Sequence, residues 1–328
     1  MHAPQYDLPE EAIAQVPVEP RDSARLLVAL GPDVQHARVS DLPGFLDQGD
    51  VLVVNTSRVV PARLRLQKAT GGAAEVLLLE PRPELPFTWE ALVRPGRRLA
   101  PGTVLYAGGQ PVVEVGERLE QGVRLVRALV DDLGPFGSLA LPPYIHAPLA
   151  DDSRYQTVYA DRAGSVAAPT AGLHLTTGVL DECARRGVSV VHVDLAVGVG
   201  TFRPIKDELV EEHTMHSERY SVPIPTWDAC QQAKRVVAVG TTTVRALESA
   251  AATGALEGRT DLYIQPGHHF SVVDVLMTNF HLPRSTLLVM LDAFAGPRWR
   301  ALYEVALRNG YRFLSFGDAM IVGRHVPS

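Results

Sequence analysis

The sequence predicts an α/β protein: a mostly parallel sheet with flanking helices, interrupted by an inserted small β-barrel domain. Two observations predict it. Apolar strand-like runs alternate with helix-like stretches towards both ends of the chain, the order that builds a parallel sheet covered by helices. Between them, residues 61–140 carry short β-prone pieces separated by Gly and Pro, with no helical period. The expected organisation is an α/β domain of residues 1–60 and 141–328 and a β insert of residues 61–140.

Each element has its own justification. Val51-Leu52-Val53-Val54 is an apolar run between Asp50 and Asn55, as a buried strand requires. In the insert, Arg63–Leu66, Ala74–Leu79, Trp89–Val93, Thr103–Tyr106, Val112–Val115 and Val123–Ala128 read as strands. Several alternate apolar with polar residues, the spacing of a small antiparallel barrel or sandwich. Pro142 and Pro143 make Leu141–Ile145 a stiff extended link. Gly178–Arg186 reads as a helix ending at Gly187, and Val188–Leu195 as the strand after it. Arg235–Val239 is a predicted strand, Val244–Ala252 a helix and Leu262–Ile264 a further strand. Ser285–Phe294 and Arg298–Arg308 read as paired helices before a last strand around Phe313–Ser315.

Composition narrows the class. A chain with 46% hydrophobic and 21% charged residues is globular, which excludes disordered, collagen-like and coiled-coil classes. Two cysteines, Cys183 and Cys230, are too few for a disulfide framework or a thiolate zinc site and point to a reducing cytosol. The N-terminal segment lacks a basic stretch followed by an apolar one, and no apolar run approaches a membrane span, so a soluble cytoplasmic protein is expected. The net charge of −6 argues against coating nucleic acid by bulk charge. Residues 61–130 nevertheless hold ten Lys/Arg against seven Asp/Glu, a surplus that Asp131 and Asp132 reduce to one.

The strongest chemical signal is Val236–Val239 running into Gly240-Thr241-Thr242-Thr243-Val244-Arg245. Unpaired N–H groups at a helix start, with hydroxyls beside them, suit a carboxylate or phosphate. A threonine that only caps the helix is the plainer alternative. Arg245 opposes the helix dipole in the first turn and so favours an anionic partner. Gly198-Val199-Gly200-Thr201-Phe202 lacks the third glycine of a dinucleotide loop and reads as a tight turn at a strand's carboxyl end. Glu212-His213-Thr214-Met215-His216-Ser217-Glu218 packs two histidines and two carboxylates together, as an acid–base cluster, a solvated loop or a metal set would. His174 and His281 sit among apolar residues, where a histidine is most often structural. Neither a nucleophile elbow nor a P-loop is present. From the residues alone, this is an α/β enzyme that binds a small anionic molecule at strand ends, its reaction undetermined.

Along nearly its whole length the chain resembles the S-adenosylmethionine:tRNA ribosyltransferase-isomerase family of queuosine biosynthesis. The most specific stretches are Ala168-Pro169-Thr170-Ala171-Gly172-Leu173-His174, Met215-His216-Ser217-Glu218 and Asn279-Phe280-His281-Leu282-Pro283, in that order. The resemblance implies transfer of the ribosyl part of S-adenosylmethionine to a 7-aminomethyl-7-deazaguanine base at the wobble position of tRNA. Epoxyqueuosine would form, with adenine and methionine released. S-adenosylmethionine is then a consumed substrate, and neither a cofactor nor a metal is expected. The partners are that tRNA and S-adenosylmethionine, with no membrane and a monomeric enzyme. Implied acid–base residues are His174, His213, His216 and Glu218. Implied substrate contacts are Asn55, Arg58, Thr170, Gly172, Gly200 and Thr201, then Ser217, Gly240, Thr241, Thr242, Arg245, Asn279 and His281. Arg94, Arg97 and Arg98, in a Pro/Gly turn of the insert, are expected to hold tRNA phosphates. Departures from the family pattern fall at Ala196, where a histidine is usual, at Thr56-Ser57, and at His268 in place of an aromatic residue. Two other readings are a diverged, non-catalytic tRNA-binding paralogue and a metal-dependent hydrolase using His213, His216 and Glu218.

Overall fold

The computed structural model describes residues 2–96, 98–198, 210, 213, 215 and 217–325. Arg97, Gly200, Thr201 and His216 lie outside the described residues. In chain order the first strands are β1 (Arg25–Ala29), β2 (Gln35–Arg38), β3 (Val51–Asn55) and β4 (Ser57–Val59). Then come β5 (Arg63–Lys68), β6 (Ala73–Pro81), β7 (Thr88–Arg94), β8 (Thr103–Ala107), β9 (Gln110–Arg118), β10 (Val123–Ala128) and β11 (Gly137–Ser138). After β12 (Arg162–Ser165) follow α1 (Thr177–Arg185), β13 (Ser189–Leu195), β14 (Glu218–Ser221), α2 (Ile224–Gln232), β15 (Val236–Val239) and α3 (Thr241–Thr253). The chain closes with β16 (Glu257–Thr260), β17 (Val275–Asn279), α4 (Thr286–Ala295), α5 (Arg298–Arg308) and β18 (Ala319–Gly323). It divides into two compact units: residues 1–58, 142–162 and 168–328, and residues 59–141 with 163–167.

The first unit is built on a nine-stranded sheet, ordered β16-β14-β13-β3-β15-β17-β18-β1-β2. Its middle strands are apolar on both faces: β3, β15 and β17 are buried along their whole length, as strands covered on two sides must be. On one face Leu52, Val54, Val237, Val239 and Met277 pack with Val179 and Cys183 of α1. Helix α1 starts where the Thr176 hydroxyl accepts from the Val179 N–H. Helix α4 starts likewise at Ser285, whose hydroxyl accepts from Leu288. Among the described residues, no helix is long and apolar enough to cross a membrane.

The sheet is mixed, which corrects the expectation of a mostly parallel one. Strands β13, β3, β15 and β17 run parallel, as do β1 and β18. The β17–β18, β1–β2, β13–β14 and β14–β16 pairs are antiparallel. The reason is visible between β17 and β18. One helix between strands returns the chain to its starting edge, whereas α4 and α5 together return it reversed. The last strand is correspondingly Ala319–Gly323, while Phe313 makes only an isolated bridge to Ile13. The edge strand near residue 260 is Glu257–Thr260, not Leu262–Ile264. Leu141–Ile145 is not fully extended, since Ile145 N–H donates back to the Pro142 carbonyl.

The second unit is a closed six-stranded barrel. Its order is β5-β6-β7-β10-β9-β8, with β11 outside β5, and closure comes from Gln67 and Lys68 of β5 pairing with Tyr106 and Leu105 of β8. Inward residues alternate along the strands, for example Leu64 and Leu66, Val76 and Leu78, Ala91 and Val93.

Candidate functional site

Strand β3 comes first in the chain among the four adjacent parallel strands, and its neighbours β13 and β15 lie on opposite sides of it. Ligands of open α/β sheets bind outside the carboxyl ends of strands at such a switch of direction. Asn55 is the last residue of β3 and is buried there. Its Nδ2 donates to the Leu195 carbonyl at 3.0 Å and to Thr242 Oγ1 at 3.1 Å. Its Oδ1 accepts from the N–H groups of Leu195 and Ser57, both at 3.1 Å. The side chain thus ties the end of β13 and the first turn of α3 to β3. It does not fit the expected role of contacting a ligand hydroxyl, because its hydrogen-bonding capacity is spent within the protein.

Helix α3 begins at Thr241, three residues earlier than predicted, with Gly240 as N-cap and no capping side chain. The capping alternative for the threonines therefore fails. Thr243 donates to the Val239 carbonyl at 2.7 Å, and Thr242 accepts from Asn55. Gly240 has φ +89°, a backbone conformation that residues with a side chain rarely adopt, so this turn needs glycine. The N–H groups of the first turn lack intrahelical partners. Arg245 is buried, and its anionic partner lies inside the protein. Its guanidinium pairs with Glu218 and donates to the Leu262 carbonyl at 3.1 Å. The other Glu218 oxygen accepts from Gly198 N–H at 2.9 Å. The anion beside Arg245 is thus the Glu218 carboxylate, which is held between that guanidinium and a backbone N–H instead of standing free as the acid–base or metal-ligand roles expected of it would suggest.

A second polar cluster adjoins. The Asn279 Nδ2, at the end of β17, lies 3.0 Å from His174 Nε2, and its Oδ1 accepts from the Thr170 hydroxyl at 3.0 Å. His174 is buried, and desolvation, aided by the nearby charges of Arg312, Arg154 and Arg21, lowers its pKa to about 4. A neutral histidine with Nε2 engaged this way does not fit the expected proton transfer; the structural alternative describes it. His281 is similar: its Nε2 lies 3.0 Å from Thr278 Oγ1 and burial lowers its pKa to about 3. Its backbone is fixed by Tyr303 OH, which accepts from its N–H at 2.8 Å, and by Tyr6 OH, which donates to its carbonyl at 2.6 Å. Gly172 is a close approach, since a Cβ there would meet the Tyr159 hydroxyl at 2.1 Å. A cleft lies here, lined by Thr170, Asn279, His281, Tyr144, Ser315 and Leu282 among others. Tyr144 and Ser315, whose hydroxyls are 2.7 Å apart, were not expected at a site. Tyr144 lies in a segment that reads as a linker and Ser315 in one that reads as a strand.

The two buried histidines set an acid limb on stability. In the unfolded chain each takes up a proton near pH 6.5, whereas in the fold each stays neutral until about pH 4 or below. The unfolded state therefore binds more protons below about pH 6.5, and their contribution, full above that, is lost as pH falls towards 4. Urea midpoints should show wild type losing more stability than His281→Gln between pH 7 and 4.5; an equal loss would remove His281 from this account.

Other expected contacts are dispersed. Ser217 is exposed and its hydroxyl accepts from Arg259 at 3.0 Å, while exposed Arg58 donates to the Ala160 carbonyl at 2.9 Å. His213 is half-buried, its ring 5.7 Å from that of Tyr263. In the barrel unit, Arg94 and Arg98 are exposed. Buried Arg124 donates to the carbonyls of Leu99 and Gly116 at 3.0 Å and of Gly96 at 3.3 Å, which holds the backbone on both sides of Arg98.

Residues 2–322 match the family model described as queuosine biosynthesis protein. The chain belongs to the queuosine biosynthesis protein family. A relative from Thermus thermophilus, named S-adenosylmethionine:tRNA ribosyltransferase-isomerase, is 51% identical over 346 residues, covering 98% of this chain and 99% of its own. One of the same name from Rubrobacter xylanophilus is 49% identical over 322 residues, covering 97% and 96%. The crystal structure of S-adenosylmethionine tRNA ribosyltransferase from Thermotoga maritima is similar with a TM-score of 0.55 and 35% identity, covering 97% of this chain and 99% of that one. In this queuosine biosynthesis family member, the departure at Ala196 lies on the segment just after β13, where its N–H donates to the Arg219 carbonyl at 3.1 Å.

Proposed function

We propose that this protein is an S-adenosylmethionine:tRNA ribosyltransferase-isomerase. It transfers the ribosyl moiety to 7-aminomethyl-7-deazaguanine at the tRNA wobble position, forms epoxyqueuosine and releases adenine and methionine. The observation that carries the reading is end-to-end similarity, at about half identity, to relatives named for this activity. Geometry supports it through the open first turn of α3 at the sheet's switch point, which suits the methionyl carboxylate. Thr241, Thr242 and Thr243 present the N–H groups there, while the Gly240 N–H is taken by the Met277 carbonyl at 2.8 Å. The sulfonium acidifies the neighbouring C5′ hydrogens, and a base of moderate pKa removes one; expelling adenine needs a proton donor. Of the four expected acid–base residues, His213 and His216 keep this assignment, with Gly200 and Thr201 proposed as ribose contacts. The enzyme is proposed to work as a monomer and without metal, and no redox cofactor is called for because each step is a proton transfer or heterolytic bond change.

Incubation with S-adenosylmethionine and tRNA bearing the aminomethyl base should give adenine and epoxyqueuosine in equal amounts, unaffected by chelator. His213→Ala and His216→Ala should each lower turnover about a hundredfold if the side chain transfers a proton. Absence of both products from folded protein would sink the function; normal turnover in both variants would sink only the assignment. The barrel is proposed to hold the tRNA backbone through Arg94, Arg97 and Arg98. Neutralising them should weaken tRNA binding and reduce the slope of log affinity against log salt by up to about 3. An unchanged slope would place the docking surface elsewhere.

A further inference from the structure

The hydrogen bonds around Asn279 have a fixed direction. Its Nδ2 lies 3.2 Å from the Leu314 carbonyl and 3.4 Å from the Asp318 carbonyl, and carbonyls only accept. The amino half of the amide must therefore point that way, and towards His174 Nε2, which accepts. The amide oxygen then faces Thr170 Oγ1 at 3.0 Å and can only accept, so the single hydroxyl proton of Thr170 is spent on Asn279. Thr170 is half-buried and lines the cleft beside Asn279 and His281, where its remaining capacity is lone pairs alone.

We propose that Thr170 is a specificity-determining residue, an acceptor-only hydroxyl that recognises an O–H or N–H donor on the substrate, with Asn279 positioning it. A carbonyl, carboxylate or ring-nitrogen acceptor placed at the same point would face lone pairs and be rejected. Neutral His174 locks the relay from behind: a protonated imidazole would compete for the wrong half of the amide. The inference rests on S-adenosylmethionine being the substrate, which offers such donors from its ribose hydroxyls, from the exocyclic amine of adenine and from its α-ammonium group.

Calorimetry on the full chain separates these sources. Affinities for S-adenosylmethionine and for its 2′-deoxy, 3′-deoxy, N6,N6-dimethyl and α-desamino analogues are measured with wild type, Thr170→Val and Thr170→Ser. Thr170→Val should bind S-adenosylmethionine about 5- to 50-fold more weakly and Thr170→Ser within about twofold of wild type. One analogue should be weakened similarly on wild type yet suffer no added loss on Thr170→Val, and that analogue names the donor. Binding by Thr170→Val within twofold of wild type, or every analogue penalised equally in both proteins, overturns the proposal. Failure of wild type to bind S-adenosylmethionine both alone and with the tRNA present overturns the functional reading and this inference with it.

Discussion

Arg245→Ala is expected to cost the protein about 3–5 kcal/mol of folding stability, because it strands the buried carboxylate of Glu218. Two charges shielded from water are tolerable only together, and among the described residues the remaining one keeps the backbone N–H of Gly198. Glu218→Ala should be comparably damaging, since among the described residues it leaves the guanidinium the carbonyls of Leu262 and Thr260 as partners. Replacing both at once with apolar residues, Arg245→Met with Glu218→Leu, should recover much of the loss. Urea unfolding of the two single variants and the double variant checks this. Strongly non-additive midpoints are the expected result. A stable Arg245→Ala protein with weakened affinity for S-adenosylmethionine would instead return Arg245 to direct ligand contact.

Asn55→Leu should be nearly as severe, at about 3 kcal/mol or more. The substitution is close in volume, so the loss is polar: Leu195 and Ser57 lose the acceptor for their N–H groups and the Leu195 carbonyl loses a donor. An unsatisfied buried group costs about 1–3 kcal/mol, and at least two are created here. The damage also spreads to function, because Asn55 joins the end of β13 and Thr242 of α3 to β3. Expected are a lowered urea midpoint and lost S-adenosylmethionine binding even under conditions where the protein stays folded. Asn55→Asp keeps the acceptor but not the donor and should fall between. Wild-type stability with lost binding would show that Asn55 meets the ligand rather than the scaffold.

These two residues also show where reading the chain reached its limit. Arg245 opposing a helix dipole correctly signalled an anion beside it, but a signal of charge does not say whose charge answers it. The partner is Glu218, 27 residues earlier, brought alongside because β14 joins the edge of the sheet. His174 was better described by its apolar neighbours than by its chemistry. A histidine can be buried for structure or for catalysis in the same local sequence, and the surrounding groups choose.

Elements whose residues carry a local pattern of their own are legible along the chain. All six barrel strands, the buried strand at 51–55, α1 and the α4–α5 pair lie where alternation, an unbroken apolar run or helical spacing placed them. The resemblance carried in its motifs was enough to give the family. What depends on partners distant in the chain emerges with packing. Packing set the antiparallel turn of β18 against β17, the closure of β5 onto β8, and the Asn55 clamp across 140 residues. The physical reason is that periodicity encodes which face of an element is buried, a property of neighbouring residues. Strand direction, and which buried donor meets which acceptor, are fixed only when the whole chain has packed and every polar group must find a partner.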